Sequence, residues 1–186
     1  MAFKSTGSDV TSSFITAAAA DPDGISTAAS ISGAANLTIG GALASGGSVT
    51  MDSPRNVTIL SAGNDSGITF TVTGTDESGT AITEVITGAN TGTATGSSFF
   101  QTVTQIATSG SSAGNVSAGS RTSIAGVISA SRCRLRGIYV VNGSGAATLK
   151  FREGSATGTI VMQFATVAGA STNSYPDIPD DGLLFK

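Results

Sequence analysis

Histidine and tryptophan are missing from the 186 residues, and cysteine occurs once. Without histidine the chain lacks the usual general base, the Ser-His and Cys-His nucleophile pairs, and the commonest zinc ligand. The lone Cys133 excludes an internal disulfide and fits synthesis in a reducing compartment, with burial as a small hydrophobe as its expected role. Charge is scarce too. Asp, Glu, Lys and Arg together make up 11%, against an ordinary value of about a quarter, so the surface must be built from hydroxyls and small side chains. No apolar run approaches the roughly 20 residues of a membrane helix. The stretch from Phe14 to Ala20 is too short and too alanine-rich for the hydrophobic part of a signal peptide, so the reading is a soluble protein made in the cytoplasm.

What the chain does contain is Gly, Ser, Thr, Ala and aliphatic residues in a turn-rich pattern. From 55 to 106 the sequence alternates strand-like runs with turns. Ile68, Phe70 and Val72 alternate with Thr69, Thr71 and Thr73, which at the two-residue period of a strand separates an apolar face from a hydroxyl face. Burying each apolar group contributes roughly 1.5 to 3 kcal/mol, which holds such a strand only inside a larger sandwich. Ala81 to Thr87 and Phe99 to Ile106 read as further strands, with turns at Ser61 to Gly67 and Gly74 to Gly79 and a Gly/Asn/Thr loop after Thr87. Asp21-Pro22-Asp23-Gly24 reads as a turn, since Pro fixes φ and Gly supplies a positive one. The pairs Leu37/Ile39 and Val49/Met51 suit short strands between glycine turns, and Ser109 to Gly119 reads as a closing loop.

From Ser123 the character changes. Arg132, Arg134 and Arg136 alternate with Cys133, Leu135 and Gly137, so a strand here presents its guanidinium groups on one face. The run continues to Val141, breaks at Asn142-Gly143, and resumes from Ala146 to Arg152, which is a strong hairpin signal. Thr159 to Val167 gives another strand, and Tyr175 to Phe185 a Pro-punctuated edge. The expected architecture is all-β: an extended arm over 1–20, a β-sandwich over 21–119, and a second antiparallel, sandwich- or jelly-roll-like unit over 123–186.

The two parts differ in charge. Residues 1–120 carry two basic against eight acidic side chains, and residues 121–186 carry seven basic against four acidic. Opposite signs favour internal complementarity or head-to-tail attraction between copies. The basic part has no Lys/Arg run with aromatic interleaving, so nucleic acid is not an expected partner. The arginine ladder instead suits a contact with carboxylates at Asp177, Asp180 and Asp181 or on a neighbouring copy, because the planar guanidinium holds a carboxylate with two hydrogen bonds. Neutralising all three arginines should then weaken assembly and leave the monomer folded.

Gly110-Ser111-Ser112-Ala113-Gly114 matches the G-x-S-x-G nucleophile pattern, but it lacks a strand-to-helix context and a partner histidine. Asp76-Glu77 and Asp180-Asp181 adjoin glycine in turns, where Asp is favoured for local hydrogen bonds. Asp21/Asp23 and Asp180/Asp181 offer oxygen to a hard cation, yet their spacing departs from the helix-loop-helix calcium pattern. No catalytic residue, metal site or cofactor is assigned.

Several segments carry a resemblance. Asp21-Pro-Asp-Gly-Ile25, Leu37-Thr-Ile-Gly-Gly-Ala-Leu43, Pro54-Arg-Asn-Val-Thr-Ile59, Gly67 to Asp76 and Phe100 to Ile106 resemble small β-rich virion structural proteins of tailed bacteriophages. Gly137-Ile-Tyr-Val-Val-Asn-Gly143 and Ile178-Pro-Asp-Asp-Gly182-Leu-Leu-Phe185 are similar to a second module of phage head and tail proteins. The resemblance implies a non-enzymatic capsid decoration, or cement, protein, made in the host bacterial cytoplasm and located in the virion. Its implied partners are the major capsid protein and copies of itself, with a trimer suited to a shell decoration and no membrane or nucleic acid involved. Phe3 and Phe14 would anchor the arm. Such proteins are expected to add a strand after the Gly-Leu-Leu-Phe segment, whereas this sequence stops at Lys186. The rival implications are a tail or neck component, such as an adaptor or tube-associated ring, and an exposed receptor- or glycan-binding module, for which Tyr175 is the one obvious aromatic platform.

Overall fold

The computed structural model describes residues 3–4, 11–12, 18–126, 133–138, 140–141, 145–167, 173–174, 178 and 182–185. The chain divides into two compact units, Met1–Gly126 and Val127–Lys186. Every regular element among the described residues is a β-strand.

The first unit contains β1 (Phe3–Lys4), β2 (Thr11–Ser12), β3 (Asp21–Ala29), β4 (Ala44–Ser45), β5 (Ser48–Asn64), β6 (Thr69–Thr75), β7 (Ala81–Thr87), β8 (Asn90–Thr95), β9 (Phe100–Thr108) and β10 (Val116–Ile124). Its organiser is β5. In its first part Val49 and Thr50 pair with Val103 and Thr102 of β9; in its second part Val57 to Ser61 pair with β10, and Thr58 to Ser61 with β8. Between the two parts the register with β9 advances from Thr50↔Thr102 to Arg55↔Phe100, five positions along β5 against two along β9. One strand therefore serves two antiparallel wings, β9-β6-β7 and β3-β10 with β8, a corner arrangement that folds a single eight-stranded sheet into a sandwich.

The wings share one core. Phe70, Val72, Ile86, Phe100, Val103 and Ile106 come from one wing, and Ile25, Val116 and Ala118 from the other, with Val49, Met51, Val57 and Ile59 from β5 itself. Phe70 and Val72 are fully buried, while Thr69, Thr71 and Thr73 are half-buried, as the alternation predicts.

Several sequence expectations require correction. Asp21-Pro22-Asp23-Gly24 is not a turn between elements but part of β3, where Asp21 to Ser26 oppose only Ser120 to Ala118 of β10. The turn chemistry is spent on a bulge in an outer strand, a setting in which Pro is tolerated. Val49 and Met51 belong to the same strand as Val57 to Leu60, because the chain bends at Asp52–Pro54 without leaving the sheet. The loops expected after Thr87 and at Asn115 to Gly119 contain β8 and β10. β10 is central in spite of its small side chains, and Gly119 lets it lie against β3: a Cβ there would stand 2.0 Å from the Asp21 carbonyl oxygen. In the arm, β1 and β2 pair antiparallel, with Phe3 opposite Ser12.

The second unit contains β11 (Cys133–Leu135), β12 (Val140–Val141), β13 (Thr148–Arg152), β14 (Ile160–Ala165), β15 (Asn173–Ser174) and β16 (Leu183–Phe185). The pairings are nested: β13 with β14, β12 with β15, and β11 with β16, all antiparallel. This is the pattern of one long folded hairpin. The hairpin expected at Asn142-Gly143 is displaced accordingly, since β12 pairs with β15 and β13 turns into β14 through Gly154, whose φ is 79°. Phe151 and Phe164 stack across β13 and β14 with centroids 6.3 Å apart.

Candidate functional site

The outer face of β9-β6-β7 is a chemically uniform surface of the first unit. Strand pleating sends Phe70, Val72 and Ile86 inward, so their neighbours must face out. Cross-strand registers then align Val85–Thr71–Ala107, Thr83–Thr73–Gln105 and Ala81–Thr75–Thr102, with Thr87 opposite Thr69. None of these side chains is charged. Thr83, Val85 and Thr87 are exposed, and Val85 retains 61% of its surface. Hydroxyls of Thr75 and Thr102 bond to each other at 2.7 Å.

The hairpin that carries this face is fixed at its tip. The Asp76 Oδ1 accepts the Ser78 and Thr80 backbone N–H groups, both at 2.9 Å, and the Ser78 hydroxyl at 2.7 Å. The Ser78 hydroxyl bond, helped by these backbone donors, lowers the Asp76 pKa below its ordinary value. On the inner side of β7 the Glu84 carboxylate accepts the Ser97 N–H at 2.6 Å, the Ser97 hydroxyl at 2.8 Å and the Ser98 N–H at 3.2 Å. The single charge of β7 is thereby directed away from the face.

A second polar constellation lies at the sandwich corner. Arg55 is 2% exposed. Its Nε donates to Asp52 Oδ1 at 2.7 Å, its Nη2 to Asp52 Oδ2 at 2.8 Å and to the Ala18 carbonyl at 3.1 Å, and its Nη1 to the Arg121 carbonyl at 2.7 Å. The Ala18 N–H in turn donates to Asp52 Oδ2 at 3.2 Å. Both peptide groups of Ala18 are thus gripped where the chain enters the sandwich. The Arg55 hydrogen bond is the main cause that holds the Asp52 pKa at about 2, against 3.8 ordinarily, with partial burial opposing it.

The predicted site residues fall as follows. Arg134 lies on β11 opposite Leu184, with Arg136 just after it; both are exposed, while Cys133 and Leu135 are half-buried. Phe3 lies in β1. Phe14, Arg132, Tyr175, Asp177, Asp180 and Asp181 lie outside the described residues. Ser112 of the G-x-S-x-G match has its hydroxyl committed to structure, accepting the Ile31 N–H at 2.9 Å and donating to the Gly114 carbonyl at 2.7 Å. Asp21 accepts a long bond from the Asp23 N–H at 3.4 Å within the bulge, and no cluster of three or more Cys, Asp or Glu side chains suited to a metal occurs among the described residues.

Sequence reasoning missed the Arg55 clasp and the outer face as a unit. The clasp had a signal, an Asp three residues before an Arg flanking Ser-Pro in a chain with few charges. The face needed the register between β6, β7 and β9, which no local pattern supplies. Comparison of the chain with protein-family models, with curated protein sequences and with solved structures finds no match.

Proposed function

We propose that this chain is a non-enzymatic structural component of a tailed-phage virion, a capsid decoration protein that covers a seam between major-capsid subunits. The observation that carries this reading is the outer face of β9-β6-β7, a charge-free expanse of threonine hydroxyls edged by Val85. Such a face gives up no ionic hydration when covered and offers both donors and acceptors, so it suits a broad contact better than a small-molecule pocket. The clasp on Ala18 supports the same reading, because it fixes the point from which the N-terminal segment departs. A cement protein stabilises its shell by binding the assembled state in preference to free subunits.

The test is the copy number of this chain per purified virion, measured by quantitative mass spectrometry against the major capsid protein. A ratio of one, or a simple fraction of one, is the expected result. A handful of copies per particle would assign the chain to the tail, neck or vertices, and its absence from particles would remove it from the virion.

A further inference from the structure

Strand β7 is an outer strand of the sandwich, and its free edge is unusually open. Its register with β6 runs from Thr69↔Thr87 to Thr75↔Ala81 without a shift. Flanking bonds at both ends of the hairpin, Gly88 N–H to the Ile68 carbonyl at 3.0 Å and Asp76 N–H to the Thr80 carbonyl at 2.9 Å, set which pairs exchange hydrogen bonds. In an antiparallel ladder these alternate. Ile82, Glu84 and Ile86 therefore bond to β6, and Ala81, Thr83, Val85 and Thr87 aim their N–H and C=O groups away from the sheet.

Among the described residues the other outer strands of this sheet are protected, β4 by being only two residues long. β3 carries Pro22 and a bulge, and its edge is covered where the Gly40 and Gly41 N–H groups bond to the Ile25 carbonyl and the Leu43 N–H to the Gly24 carbonyl. β8 is distorted by positive φ at Thr91 and Gly92, 52° and 118°, with a register shift beside them. β7 has neither Pro, nor Lys, nor bulge, nor, among the described residues, a covering segment. A regular, β-branched, uncovered edge is a template for another strand, and natural proteins block such edges unless something pairs with them.

We infer that β7 pairs antiparallel with β7 of a second copy, joining two sandwiches into one continuous sheet about a two-fold axis at Val85. Self-complementarity selects the occupant, since the regular edge of β7 matches its own antiparallel copy about a two-fold axis, and charge selects the register. Centring the axis on Val85 sets Val85 against Val85, Thr83 against Thr87, and Glu84 against Ile86, so that no like charges oppose and every residue keeps its face. Centring it on Glu84 would place two carboxylates directly opposite, which destabilises a sheet. The edge offers no charge by which a different partner would be selected, since the Glu84 carboxylate is already held by Ser97 and Ser98. Among the described residues each sandwich has one such edge, so the contact is isologous and closes at two copies instead of growing into a fibre. The inference stands on strand geometry and does not depend on the virion reading.

The experiment is sedimentation equilibrium of the purified full chain, with amide hydrogen exchange read residue by residue. Because strand addition alone buries a small interface, the wild type should dimerise weakly, with a Kd on the order of 10 µM to 100 µM. Val85→Lys, at an exposed position, should keep the thermal transition and raise that Kd at least about tenfold, whereas Val85→Thr should retain the dimer. On dimerisation the Thr83, Val85 and Thr87 amides should gain protection, while those of Glu84 and Ile86, already bonded to β6, should not change. A wild type that stays monomeric to roughly 500 µM would overturn the proposal. So would a dimer that ignores Val85→Lys and leaves these three amides unprotected, or strand pairing only in the presence of a different protein.

Discussion

The Arg55 guanidinium and the Asp52 carboxylate, three residues apart on β5, form a two-bond pair at 2.7 and 2.8 Å inside the bend that carries β5 from one wing of the sandwich to the other. The bend leaves β5 without a continuous ladder from Met51 to Pro54, and the pair fills that gap with side-chain bonds to Ala18 and to the Arg121 carbonyl. The corner is therefore built from charge and backbone in place of apolar packing.

Arg55→Ala should destabilise the first unit by about 2 to 4 kcal/mol. Removing one partner of a buried ion pair costs roughly 3 to 5 kcal/mol, and the estimate is reduced because the Asp52 side chain is 41% exposed. Arg55→Lys should recover only part of the loss, since an ammonium cannot span Asp52, Ala18 and Arg121 with the planar fork. Urea unfolding of the full chain, with the first unit followed by amide exchange at Val57 and Val116, reads the difference.

The same pair predicts an acid limb. The Asp52 pKa is lowered on folding, from 3.8 to about 2, so the unfolded chain takes up the proton first. Its contribution is complete above pH 3.8 and is lost as pH falls toward 2. Asp76, also lowered, adds in the same direction. Melting temperatures between about pH 2 and pH 5 should fall with acid in the wild type and fall less steeply in Asp52→Asn, which starts from a lower value. Parallel curves would show that Asp52 does not couple to folding.

Gly74 faces the bulge where β6 passes from Gln105 to Val103 of β9. A Cβ there would stand 1.9 Å from the Thr102 carbonyl oxygen and 3.1 Å from the Phe100 ring. Gly74→Ala should cost on the order of 2 to 4 kcal/mol, because the obstacle is backbone in a paired strand. Gly67→Ala, with nothing within 4 Å of its Cβ, is the control and should be nearly silent. Equal melting temperatures for the two variants would refute the close approach.

How much of this was legible in the sequence depended on whether the signal was local. The alternation of Ile68 to Thr73 and the run Ala81 to Thr87 announced β6 and β7, and all-β architecture followed from the turn-rich composition. The central strand β10 did not announce itself, because Val116-Ser-Ala-Gly-Ser120 owes its burial to neighbours on both sides and carries little hydrophobicity of its own. Pro22 reads as part of a turn, yet it sits in a bulge within β3, and Pro54 sits in a bend within the continuous strand β5. The outer face of β9-β6-β7 was half visible, as a threonine stripe on β6. Its extension over β7 and the openness of that edge are properties of register, which distant pairing decides.

Asp65 offers a last test of how the loops are held. It is 2% exposed, its N–H donates to the Ala89 carbonyl at 2.9 Å, its Oδ1 accepts the Ala113 N–H at 2.7 Å, and its Oδ2 has no protein partner. One side chain thus ties the turn after β5 to the loop before β10. Asp65→Ala leaves the Ala113 N–H orphaned and should cost about 1 to 3 kcal/mol. Asp65→Asn keeps an acceptor for that N–H and removes a buried negative charge, so it should cost much less, within about 1 kcal/mol of the wild type. Denaturant midpoints of the two variants separate the cases. If Asn destabilises as much as Ala, the charge itself stabilises the fold.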